Sequence, residues 1–228
     1  MKDKEFEAHI SAAKTTLEES ARAGADFAPM IMVIRGGRMV AQVLPEAPQG
    51  GVDIAHTARI SIAAFGADEI IIVSDTYEAV GETMINPVTG KEWQHGDMAD
   101  LVENHDGLAR GLVTECLIVL LTGRGIPDRM ATLPYVRGEG GAISWTTESF
   151  QDLTDGQGAD RIPTGRFVGL FDDVDPELRV PDPIAALVLG RFHASVGLTF
   201  YEDETDPLMI ALRDDIESGK VPTQKVPR

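Results

Sequence analysis

Cysteine is almost absent: Cys116 is the single one among 228 residues. An intrachain disulfide is therefore impossible, and a thiolate-rich zinc site is excluded with it. Basic residues are also scarce, with 20 Lys and Arg against 37 Asp and Glu, a formal net charge of -17. A chain this acidic repels polyanions. Direct binding to a nucleic-acid backbone or an anionic membrane is thus disfavoured. No apolar run approaches the roughly 20 residues that a membrane-spanning helix needs. The first ten residues, MKDKEFEAHI, hold no apolar stretch, so no signal peptide is expected. Together these absences predict a cytoplasmic protein.

What is present suits a globular core. Apolar residues make up 43% of the chain, an ordinary share for a folded domain. Phe6, Ile10, Ala13 and Leu17 recur at helical spacing over 3–23, and Gly24 ends that helix. Two apolar runs, 30–34 and 39–44, flank Gly36-Gly37 and predict a β-hairpin, because tight two-residue turns need φ > 0. A helix over 52–65 ends at Gly66, and 69–75 reads as a buried strand. Residues 76–96 read as irregular, punctuated by Gly81, Asn86-Pro87, Gly90 and Gly96. Asp97 is a candidate N-cap for a short helix ending near Asp106-Gly107. A three-strand meander follows at 113–122, 129–137 and 142–146.

The fold class expected is α+β: a mixed sheet of about six strands (hairpin, strand, meander) with packed helices. Residues 1–147 form the core domain in this reading. Residues 148–183, rich in Asp, Gly and Pro, read as an extended arm or connector with one apolar island at 166–171. Residues 184–228 read as a helical C-terminal extension, with helices near 183–196 and 206–218 and a loose tail.

The sharp catalytic motifs fail. In Thr89-Gly90-Lys91-Glu92, Ile85 stands where a phosphate loop has its first Gly, and Glu92 replaces the magnesium-binding Ser or Thr. Gly123-Arg124-Gly125 lacks the third glycine of a dinucleotide loop and lies between strands. No G-x-S-x-G elbow occurs. His56 opens the second helix where a zinc deaminase places H-x-E, but Ala58 replaces the carboxylate and no P-C-x-x-C exists. Cys116 lies in the apolar run Cys116–Leu121, which suits a small buried hydrophobe better than a nucleophile.

One polar constellation remains, between Asp75 and Asp106. Asp75 ends a strand, and Trp93, His95 and Asp97 follow in the loop before the third helix. These four are the candidate binding residues, and His95-x-Asp97 is a candidate pair of metal ligands. The competing explanation is structural: Asp97 caps a helix, and Asp100 and Glu103 sit near its positive end. Trp93 suits packing of its loop onto the core better than an interface anchor. His9 and His193 fall in helical patterns that suit surface or core better than a ligand set.

The segments 85–93, Gly96-Asp97-Met98, 111–117 and Leu133-Pro134-Tyr135 resemble a pattern in uncharacterised proteins of actinobacteria and their phages. The resemblance spans about residues 30–146. It implies a cytoplasmic setting with a phage genome as one origin, and it transfers no catalytic residue.

Three functions stay open at this point. The first is a non-enzymatic binding protein, meeting a protein partner or a second copy through 148–183 and needing no cofactor. The second is a divalent-metal-dependent hydrolase using the 75–106 cluster. The third is an acidic inhibitor that mimics nucleic acid.

Overall fold

The apolar spacing of α1 (Asp3–Arg22) places Phe6, Ile10, Ala13 and Leu17 on one buried stripe. Gly24, at φ 66°, then stops the helix in a Schellman turn: Ala25 N–H donates to Ser20 O and Gly24 N–H to Ala21 O. α2 (Ile54–Phe65) ends the same way on Gly66, at φ 58°, with Ala67 N–H reaching Ile62 O. The computed structural model describes residues 3–45, 54–80, 85–92, 97–126, 128–146, 149–152 and 198–200, with isolated positions between 170 and 218.

The predicted hairpin is β1 (Met30–Arg35) and β2 (Arg38–Val43), turning through Gly36 and Gly37 at φ 59° and 75°. β3 (Glu69–Ala79) is longer than its apolar run, so residues 76–79, expected to be irregular, continue the strand. α3 (Asp97–His105) precedes the meander of β4 (Val113–Gly123), β5 (Arg129–Arg137) and β6 (Ile143–Trp145). Two further strands, β7 (Ser149–Asp152) and β8 (Leu198–Phe200), join the same sheet. Its order is β6-β5-β4-β3-β1-β2-β8, with β7 paired to β5 beside β6. The α+β class holds, but every pairing is antiparallel where a mixed sheet was expected. β7 and β8 lie beyond residue 147, so the sheet draws on both sides of the boundary read from composition.

Strand alternation gives the sheet two apolar faces. One carries Ile31, Val33, Ile70, Ile72 and Met130 against Ala58, Ile62 and Phe65 of α2. The other carries Met32, Ile71, Val73, Leu117, Leu133 and Tyr135 against α1. Fully burying one such side chain is worth about 1.5–3 kcal/mol. Leu170 and Leu189 are buried on the α2 face, with Phe171, Ala185 and Leu198 packed beside them. Asp182 N–H donates to Ala63 O of α2, and Asp182 Oδ1 accepts from the amides of Ile184 and Ala185. The described part of the arm thus rests on the chain's own core. Ile184, Ala185, Val188 and Leu189 are helical, as are Ile210 and Asp214, and Ser218 N–H donates to Asp214 O in a turn; the remaining residues of those expected helices lie outside the described residues.

The turn Glu139–Gly141 packs on the C-terminus of α1. Gly141 has φ 76°, and a Cβ there would run into the Ala21 carbonyl. Gly141→Ala is expected to cost about 2 kcal/mol or more through the left-handed backbone and the collision. Leu170→Ala is expected to cost about 2–5 kcal/mol, as for a core leucine. Denaturant melts of each variant read both effects. A melt of Leu170→Ala indistinguishable from the parent would show that residue 170 contributes nothing to the fold.

Candidate functional site

The register of the three central strands builds a polar row at one end of the α1 face. Ile71 and Val73 of β3 point to α1, so Asp75 and Tyr77 follow on the same side. By the same alternation Glu115 precedes Leu117 on β4, and Arg137 follows Tyr135 on β5. Cross-strand pairing sets Tyr77 beside Glu115, Glu115 beside Tyr135, and Tyr135 beside Trp145. Asp75 and Arg137 flank that row.

These side chains close on one another. The Tyr135 hydroxyl donates to Asp75 Oδ1 at 2.6 Å, and Arg137 Nη2 donates to Asp75 Oδ2 at 2.9 Å. Arg137 Nη2 also donates to the Tyr135 oxygen at 2.9 Å, while Arg137 Nε donates to Glu115 Oε1 at 2.7 Å. The Asp75 and Glu115 side chains are only 20% and 15% exposed, so one guanidinium bridges two largely buried carboxylates. Burial raises the Asp75 carboxyl above its usual range, against the pull of the Tyr135 hydrogen bond and the Arg137 charge. Burial and the Asp75 hydrogen bond push the Tyr135 phenol up, and burial with the Glu115 charge does the same for Tyr77.

The row also anchors α1. Tyr135 meets Trp145 edge to face at 5.5 Å between centroids, and Trp145 Nε1–H donates to Glu18 Oε1 at 2.9 Å. Lys14 lies over the same indole at 4.6 Å.

The candidates named from the sequence separate in space and in kind. Asp75 belongs to the network just described. Asp97, at the start of α3, accepts from Asn86 Nδ2 at 2.9 Å. Asn86 is 2% exposed and organises a tight turn: its Oδ1 accepts from the Val88 and Thr89 amides, and its backbone pairs with Lys91 and Gly90. The string that resembled a phosphate loop is therefore a closed knuckle, bridged at Ile85 and Glu92 and pinned to α3. Trp93 and His95 lie outside the described residues, as does any pairing of His95 with Asp97. Among the described residues no group of three or more His, Cys, Asp or Glu is placed to hold a metal ion.

Cys116 is fully buried, with its thiol pushed up to about 12 by burial and by the charges of Glu78 and Asp75. It has no nucleophile's setting. Glu115, Tyr135 and Arg137 were missed in the sequence reading. The signal for them was local: a carboxylate inside an apolar strand, and Tyr and Arg two residues apart on the next strand.

Chemically, the arrangement joins three strands through charge-assisted hydrogen bonds. Both Asp75 oxygens accept from protein donors within it. No family model, curated protein or solved structure matches the chain, so the likeness to actinobacterial and phage proteins gains no support. Among the described residues no helix is long and apolar enough to cross a membrane.

The Asp75 shift fixes the sign of a pH effect. A carboxyl raised in the folded state opposes folding when ionised, so its contribution to stability rises as pH falls through its folded pKa towards 3.8. Glu18 is lowered, first by its Trp145 hydrogen bond, so its contribution is lost at more acid pH. Asp75→Asn is expected to remove the mild-acid gain and leave the later loss. Stability curves of both proteins between neutral and acid pH measure this. An unchanged mild-acid gain in Asp75→Asn would place its origin elsewhere.

Proposed function

We propose that the chain is a non-enzymatic protein-binding module whose contact surface is the end of the sheet where β3 stops and β4 begins. One observation carries this reading. Among the described residues six large apolar side chains are exposed, and Val80, Ile85, Val88, Leu108 and Val136, at 39–56% exposure, all lie at that end. The first four belong to the connection from β3 to β4, and Val136 follows Tyr135, which pairs with Glu115. The connection is built and held: Val80 N–H donates to Leu112 O, Gly107 N–H to Leu101 O, and Asn86 ties the knuckle to α3. Where exposed apolar side chains join into one patch they mark a surface that meets another protein, whereas single ones are ordinary.

The other readings draw less support. A hydrolase using the 75–106 residues would need carboxylates available to a metal or water, and both Asp75 and Asp97 accept from protein donors. For self-association through 148–183, the described apolar residues Leu170 and Phe171 are engaged by the chain's own core.

The test replaces Val80, Ile85, Val88 and Leu108 together by Ser. Truncating a true anchor costs about 1 kcal/mol or more in binding, so the combined loss is expected to exceed tenfold. Immobilised parent protein should retain a partner from its host's lysate and the variant should lose it, with unfolding curves unchanged. Equal retention by the variant would remove this surface from the reading.

A further inference from the structure

We draw no further inference here: the strongest candidate, the cluster of Arg35, Arg38 and Arg124 around the Gly36-Gly37 turn at the C-terminal end of α2, carries nothing because the Asp68 carboxylate and the Ala67 carbonyl already lie within it, the first accepting from Gly36 N–H and the second from Arg124 Nε.

Discussion

The ladder between β3 and β4 carries the rest of the molecule. It runs unbroken from Glu69 opposite Gly123 to Ala79 opposite Val113, eleven pairs in one register. Both faces of this ladder are buried in its first half, Ile70 and Ile72 towards α2, Ile71 and Val73 towards α1. A slip of one residue would exchange those faces and separate Asp75 from Tyr135 and Arg137. The register that packs the core is thus the one that assembles the polar row. Because the ladder outlasts the apolar run, its last residues must carry polar side chains into a half-buried space. Asp75, Tyr77 and Glu115 occupy it, and Arg137 closes it.

The sheet's edges show the same economy of means. Pro134 sits within β5, where a missing N–H would break a ladder. Its carbonyl accepts from Thr146 N–H, so its nitrogen faces the outer side, away from β4. On that side the register changes by one residue: Tyr135 opposes Trp145, whereas Thr132 opposes Ser149. The proline therefore lies where the outer strand is bulged, and the inner ladder to β4 continues through Cys116 opposite Pro134. A bulged outer strand is a poor template for edge-to-edge pairing.

Much of this was legible in the sequence because it is locally encoded. Gly36-Gly37 could only be a tight turn, Gly24 and Gly66 ended their helices, and the apolar runs located β1 to β5. β7 and β8 were not legible: each is short, sits in polar or glycine-rich surroundings, and is a strand only because an open edge of β5 or β2 receives it. The candidate site was legible in part. Asp75 was singled out, but its partners lie 60 and 62 residues away and meet it through register alone. Asp97 looked like a ligand because it stands near His95. Its observed role, holding the Asn86 amide, depends on a knuckle that no spacing rule announces.

The two features at the far end of the sheet belong to one argument. A buried ion network is weak evidence for stability, since desolvation offsets much of its attraction. Its clearer consequence here is closure. Tyr135 is 1% exposed and the Asp75 and Glu115 carboxylates beside it each accept from Arg137, so the α1 face is closed by the sheet's own side chains. Among the described residues of the connection from β3 to β4, Asn86, Leu101 and Gly107 are buried, while Val80, Ile85, Val88 and Leu108 are exposed. Had the core needed a lid at this end, those side chains would have been drawn inward. They stand outside a core whose α1 face is closed by Asp75, Glu115, Tyr135 and Arg137.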